Sequence, residues 1–508
     1  MVRQGKQQHT APTCRQEQAA RESRRRPNNA PQCGKRKQSG MHTKETKVAI
    51  GIVNSGARLD RLPIASFHWK VLGLISAGAF LDAFDIYLAA GALGAMVKSG
   101  FSDLRLNALF ISVTFLGMLI GAGFAGYLGD RFGRRSSYQT NLLIFGIASI
   151  AACFVPSMSW LIALRLIMGI GLGAELVVAA GTLCEFIPPA SRGRWTALLA
   201  FIINSGLLVS TAVGYVVIPH LGWRYMFAIA GVGAIIVWVL RHRMPESPRW
   251  LESVGRAEEA EATVSAIEHQ VQRQKGPLPP VARTESLEVP KAPFSALFSH
   301  AMLGRTLVAA LTAVAVNISV YGFVAWLPTF FVKEGLTIVQ SLGFTTLMAF
   351  GAPGGAVIGF LCADRLGRAR GLVVFAIATI AVGFVYPIMH AGWAISLVGF
   401  VLITCIYTVA TLGLFAYIPE LFPTELRLRG TGTAGVCGRA ASMTTPYFAV
   451  LLYNSFGVAG VLAMVSGVLA LLVVGILLLR VETNQHALEQ ISPSLETSTD
   501  PMPATQQG

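Results

Sequence analysis

Apolar runs of about 18 residues or more, each long enough to cross a hydrocarbon layer as a helix, recur twelve times along the chain. They fall at about 70–95, 106–128, 137–155, 159–183, 194–217 and 223–241, then 304–330, 338–362, 371–390, 392–417, 428–453 and 456–480. The longest polar interruption, 242–303, contains "RAEEAEATVSAIEHQVQRQKGPLPP", a stretch of helical character that runs into a Pro-rich linker. The pattern predicts an all-α protein that crosses a membrane twelve times. Basic residues orient it. The loops after spans 2, 4, 6, 8 and 10 read "DRFGRR", "SRGR", "RHRMPESPR", "DRLGRAR" and "ELRLRG", whereas the alternate loops hold only Lys98, Arg105, Arg224 and Lys333. The positive-inside rule then places both termini in the cytoplasm.

The chain also repeats itself. Glu185, Pro188 and Arg192 share an E-x2-P-x3-R spacing with Glu420, Pro423 and Arg427 at a shift of 235, and "GDRFGR" at 129–134 matches "ADRLGR" at 363–368 at a shift of 234. A duplication of six spans accounts for both, and an even number of spans makes the repeats parallel. The expected organisation is a six-helix bundle at 67–241, a cytoplasmic linker at 242–303 and a second six-helix bundle at 304–481. A disordered basic tail at 1–66 and a polar tail at 482–508 flank them.

Composition fits a membrane protein: 53% of the 508 residues are hydrophobic and 13% charged, against about 25% charged in soluble proteins. The net charge of +15 raises the question of nucleic acid, but its distribution answers it. Residues 1–66 hold 14 Lys/Arg against 4 Asp/Glu, in a segment rich in Gln, Ser, Arg and Pro with no apolar stretch of a secretory signal. A solvated cytoplasmic tail is favoured over an RNA-binding arm, and Met41 supplies an alternative start ahead of "HTKETK". The seven cysteines are scattered and form no CxxC pair. Neither a Walker A sequence, a metal-ligand cluster nor a Ser/His/Asp signature occurs, so an enzyme, a metal, a cofactor and ATP-driven transport are not expected.

What remains is charge where hydrocarbon should be. "LDAFDIY" puts Asp82 and Asp85 near the middle of span 1, i,i+3 apart on one helical face. A mid-span acid costs at least about 2.5 kcal/mol on insertion scales and marks a proton or substrate site by default. Arg165 lies in span 4 within reach, its long side chain able to snorkel or turn sideways. Glu175 lies deeper in span 4, either facing the loop arginines or serving as a proton or substrate group. Arg439, near the middle of span 11, is a permanent cation that needs an anion. An internal acid or an anionic substrate would satisfy it. The 235-residue shift carries Asn204 onto Arg439 and Asp82 onto Asn317, so equivalent helices present polar groups at one depth, as a central cavity requires. Tyr87, Tyr321, Trp326, Tyr407 and Tyr447 are aromatic candidates for that cavity. Tyr321 is the best placed, and Trp326 and Tyr447 also read as interface anchors.

"GYLGDRFGRR" (126–135) resembles the loop 2–3 signature of the major facilitator superfamily, and "PESPRWL" (245–251) resembles the signature after span 6 in its sugar-porter branch. "RLIMGIGLGAE" (165–175) and "YIPELFPTELRLRGTG" (417–432) are similar to the span 4 and span 10 signatures of the same group. The resemblance covers about residues 65–490. It implies two bundles with alternating access, latched on the cytoplasmic side by Asp130, Arg131, Arg134, Glu185 and Arg192 and by their counterparts Asp364, Arg365, Glu420 and Arg427. It also implies that Arg165 pairs with Asp85, as in sugar porters. "LDAFDIY" resembles the D-x-x-D of aromatic-acid:proton symporters, which also carry an arginine in span 11, and Glu175 resembles the acidic span 4 residue of niacin- and synaptic-vesicle-type carriers.

The reading that follows is a proton-coupled symporter of a small organic acid, aromatic or nicotinate-like, in the inner membrane, working as a monomer with protons, lipid and an anionic small molecule as its partners. Asp82, Asp85, Arg165 and Glu175 handle the proton, and Arg439, Asn204, Asn317, Tyr321 and Tyr87 face the substrate. A sugar or polyol porter is the alternative, disfavoured because spans 5 and 7 lack a run of Gln and Asn. A drug:proton antiporter and a non-transporting nutrient sensor stand behind it.

Overall fold

The computed structural model describes residues 53–281, 293–389, 392–423 and 426–479, and every regular element among them is a helix. A short helix α1 (Ser55–Asp60) precedes six spans: α2 (Ser66–Lys98), α3 (Leu104–Phe132), α4 (Arg134–Ala152), α5 (Met158–Phe186), α6 (Pro189–Leu221) and α7 (Arg224–Arg241). Two helices of the polar interruption follow, α8 (Pro248–Ser253) and α9 (Ala257–Lys275). Span 7 is α10 (His300–Gly322) with α11 (Leu327–Lys333), and span 8 is α12 (Ile338–Ala349) with α13 (Gly351–Arg365). Span 9 is α14 (Arg368–Val385), and span 10 is α15 (Gly392–Ala410) continued by α16 (Ile418–Glu420). The last helix, α17 (Arg427–Leu479), contains spans 11 and 12 and is broken at Gly457 (φ 63°, ψ −154°). Among the described residues, ten helices are long and apolar enough to cross a membrane. Twelve spans result once α17 is divided and α4 is added, whose opening "RRSSYQTN" is too polar to pass on hydropathy.

Helices dominate because lipid offers no partner to a backbone N–H or C=O, so each span must satisfy its own. The interruptions have local causes. Pro353, Pro328 and Pro419 each lack an N–H and crowd the carbonyl four residues back. The chain accordingly breaks at Phe350, tightens into a 3-10 turn at Val324–Trp326, and widens into a π-helical stretch at Thr411–Tyr417. Spans 2 and 4 meet backbone to backbone, where Gly117, Gly121, Gly169 and Gly173 leave no room for a Cβ against the facing main chain. That contact sets the depth of span 4 and of the charges it carries.

The structure corrects one expectation. The disordered tail was drawn through residue 66; residues 1–52 lie outside the described residues, but 53–66 are built into the fold. Arg58 pairs with Glu268 at 2.7 Å and with Glu261, Arg61 pairs with Glu268 at 2.7 Å, and the backbone N–H groups of Asn54 and Ser55 donate to Glu252. The acids on α8 and α9 and the bases on α1 are complementary, a relation invisible when each segment is judged by its own composition. Residues 480–508 lie outside the described residues.

Candidate functional site

Two buried charge clusters occupy the first six-span half. In the first, Asp85 is fully buried and forms an ion pair with Arg165. The arginine also donates to the Asp85 carbonyl (3.1 Å) and to Thr114 Oγ1 (3.0 Å), and its guanidinium lies over the Phe110 ring at 4.9 Å. Thr114 and Phe110 come from span 2, so one guanidinium ties spans 1, 2 and 4 together.

The second cluster was only half visible in the sequence. Glu175 forms an ion pair at 2.6 Å with Arg241, and both side chains are 1% exposed. Arg241 also donates to the carbonyls of Leu74 (2.9 Å) and Ile75 (3.0 Å) and covers the Tyr138 ring at 4.6 Å. Span 1 admits the pair at Gly78, where any Cβ would collide with both Arg241 and Glu175. One helical turn on, Asp82 is 2% exposed, and its Oδ2 has no hydrogen-bonding partner among the described residues. The cluster therefore holds two acids and one guanidinium, and it is neutral only when one acid carries a proton. Sequence reasoning assigned Arg241 to the positive-inside loop. The available signal was its register: Phe227, Ala230, Ala234 and Val237 are buried, and Arg241 continues their stripe.

Aromatic groups meet between the halves. The Tyr407 hydroxyl donates to that of Tyr87 at 2.6 Å, Tyr87 stacks on Tyr321 with centroids 6.5 Å apart, and Phe115 packs edge-on to Tyr321 at 4.5 Å. Arg439 lies within electrostatic reach of Tyr321, and among the described residues it makes neither an ion pair nor a hydrogen bond. Asn204 also keeps its Nδ2 unpartnered. Asn317 does not: its Oδ1 accepts from Ser442 (2.9 Å) and its Nδ2 donates to Ala313 O (2.8 Å), so its amide joins spans 7 and 11. Trp326 is 1% exposed and stacked on Phe330, which removes it from the interface anchors, whereas Tyr447 remains exposed. A cleft of about 420 Å³ opens at the basic end between spans 5, 8, 9 and 10, lined among others by Ala197, Ala200, Thr411, Phe415 and Glu420. Asn204 continues its span 5 face one turn deeper.

The basic end shows the duplication in three dimensions. Arg134 pairs with Glu185 at 3.2 Å and Arg368 with Glu420 at 2.9 Å, equivalent contacts at shifts of 234 and 235. Each arginine follows a glycine at positive φ, Gly133 (94°) and Gly367 (85°), a conformation that lets the two spans turn sharply without strain. Arg368 is the counterpart of Arg134 that sequence reasoning left out, whereas Arg365, the counterpart of Arg131, is exposed as Arg131 is. Arg192 reaches Asp60 of α1 at 2.9 Å, and Arg249 of "PESPR" shares that carboxylate at 2.6 Å. Arg131 is exposed, lying over the Phe132 ring, and Arg427 is half-buried. The side chains of Asp130 and Asp364 lie outside the described residues. Beyond the membrane, burial works to raise the Glu268 carboxyl, but the Arg58 and Arg61 guanidiniums outweigh it and hold the group below its ordinary value.

Comparison with known proteins agrees with this fold. The family described as "Sugar (and other) transporter" matches residues 72–495. The inner membrane metabolite transport protein YdjE of Escherichia coli is 40% identical over 443 residues, covering 86% of this chain and 98% of that protein. The niacin transporter NiaP of Acinetobacter baylyi is 33% identical over 447 residues, covering 86% and 99%. Among solved structures, the inward open conformation of the xylose transporter XylE from E. coli superposes with a TM-score of 0.65 at 19% identity, covering 84% of this chain and 99% of that one, a likeness of fold.

Proposed function

The chain belongs to the Sugar (and other) transporter family of the major facilitator superfamily, a family of membrane transporters and not of enzymes, and on that premise we propose that it carries a small aromatic carboxylate into the cell together with protons. The observation that carries this reading is Arg439. A half-buried guanidinium with no acid partner among the described residues meets its anion elsewhere, and here it stands beside a group of aromatic rings formed by Tyr321, Tyr87 and Phe115. An aromatic acid offers a planar carboxylate for the fork and a ring for the stack. The identity with a niacin transporter supports the same class.

The sugar alternative draws on the family description and on the xylose transporter's fold. Sugar hydroxyls need several free amides, and Asn317 has spent its own on Ser442 and Ala313.

Proton coupling rests on the two clusters. Asp85 gains a proton when spans 1 and 4 shift against each other and Arg165 withdraws, and Asp82 is the acid in excess beside Glu175 and Arg241. The basic end, with its paired Arg134–Glu185 and Arg368–Glu420 latches, faces the cytoplasm, and the membrane is the inner one. The Tyr87–Tyr407 hydrogen bond closes the far side while the cleft stays open to the basic side.

The test is competition in proteoliposomes. Radiolabelled nicotinate should accumulate under an inward proton gradient. Benzoate should compete and nicotinamide, of the same shape without the charge, should not. Arg439→Lys should weaken nicotinate binding, because it keeps the charge but loses the bidentate fork. Equal competition by acid and amide would sink the organic-acid reading and move the sugar alternative ahead.

A further inference from the structure

We propose that the first half contains a hydrated proton conduit that runs from Asp82 to the basic face between spans 1, 3, 4 and 6, separate from the cleft between the halves. It deepens the proton-coupling reading and rests on it for direction, but the wet column itself does not.

Buried polar groups are ordinarily hydrogen-bonded, and those that no protein group satisfies recruit water. In this half such atoms line up. Asp82 Oδ2, Glu175 Oε2 and Glu185 Oε2 are buried without a hydrogen-bonding partner among the described residues, and the Tyr138 and Thr182 hydroxyls find no partner there beyond each other. Asp82, Glu175, Tyr138 and Thr182 are each 2% exposed or less. Helix geometry strings them in order. Thr182 and Glu185 follow Glu175 at seven and ten residues on span 4, about 10 and 15 Å toward the basic end at 1.5 Å per residue. Tyr138 of span 3 fills the gap between them: its ring lies under Arg241, and its hydroxyl senses the charges of both Glu175 and Glu185. Glu185 forms the mouth, 20% exposed and paired with Arg134.

The bland account is ordinary helix packing, in which a membrane threonine returns its hydroxyl to the carbonyl of the preceding turn. Thr114, Thr211, Thr312, Thr345, Thr379 and Thr404 all do so. Thr182 does not. A hydroxyl held away from its own backbone, one step from a carboxylate that reaches the surface, is available to water. None of the column residues lines the cleft, so substrate and proton follow different routes to one compartment.

The transfer needs no co-reactant. A proton leaving Asp82 passes along water to the hydroxyls of Tyr138 and Thr182, each of which accepts one proton as it releases another, and ends on Glu185. The Glu175–Arg241 pair stays ionised and supplies a fixed, nearly neutral wall. Asp85, held by Arg165 on the far side of Asp82, is the other titratable group facing this point, so Asp82 joins the conduit to the aromatic site.

Two measurements test the proposal. Proteoliposomes carrying a trapped pH dye report proton entry driven by nicotinate. Tyr138→Phe and Thr182→Val should each slow it on the order of 10-fold, the scale of one lost proton-transfer partner, while nicotinate counterflow keeps the wild-type rate. Wild-type proton entry in both variants would overturn the conduit. The second measurement needs no substrate: hydroxyl-radical footprinting in heavy-oxygen water labels side chains in contact with water. Tyr138 should acquire the label as a dry core ring such as Phe227 does not. An unlabelled Tyr138 would overturn the conduit, whereas a labelled Tyr138 in a protein that moves no nicotinate would uphold the conduit and dismiss the substrate.

Discussion

Arg241→Met removes the guanidinium of the second buried cluster and keeps the length of the side chain. Glu175 then loses its ion pair in a site where it is 1% exposed. Breaking a buried pair by deleting one partner costs about 3–5 kcal/mol, because the remaining charge is stranded. A second route to the magnitude agrees. With Asp82 carrying a proton, as the proposed coupling has it, the variant must neutralise Glu175 alone. Protonating a carboxyl of ordinary value 4.3 at pH 7 costs about 3.7 kcal/mol, at 1.36 kcal/mol for each unit of pH. The same step at pH 5 costs only about 1 kcal/mol. Thermal unfolding in detergent should therefore show Arg241→Met strongly destabilised at pH 7 and much closer to the wild type at pH 5. Adding Glu175→Gln should recover most of the loss, since replacing both members of a buried pair is often nearly neutral. A loss that neither shrinks on acidification nor recovers in the double variant would show that Arg241 acts through packing on Tyr138, and the charge argument would fail.

Asp85→Asn should abolish nicotinate accumulation driven by a proton gradient while leaving part of counterflow exchange, which moves no net proton; full accumulation in that variant would remove Asp85 from the coupling. Outside the membrane, Glu268 is held below its ordinary value by Arg58 and Arg61, against burial. A depressed acid contributes stability above its unfolded value, about 4.3, and loses it as pH falls through the lower folded value. Hydrogen exchange at α1 should thus be slow at neutral pH and rise only below about pH 4.3. In Glu268→Gln it should be fast already at neutral pH, and unchanged exchange there would show that Asp60, Glu252 and Glu261 hold α1 in place without it.

Sequence periodicity alone gave the twelve spans, because a span need only be long and apolar, and both are properties of a continuous segment. Its omissions were local in kind: the proline breaks at Pro328, Pro353 and Pro419 went unassigned. The duplication was legible too, since parallel repeats keep their spacing, although Arg368, the counterpart of Arg134 that pairs with Glu420, was missed. Asp82, Asp85, Arg165 and Arg439 announced themselves because charge at mid-span is too costly to be incidental.

Partnership was not legible, because it depends on which face of one helix meets which face of another. Arg241 reads as one more basic residue at a span end until span 6 turns it inward against Glu175, in space that Gly78 of span 1 leaves open. Asp60 sits in a stretch that composition assigns to a disordered tail until α1 brings it to Arg192 and Arg249. Asn317 and Arg439 are equally polar on paper, yet Ser442 occupies one and, among the described residues, no acid pairs with the other. Hydrophobic length is written along the chain and survives without its neighbours; the cost of a buried charge is set by what lies within a few ångströms of it, and only the packing of the helices decides that.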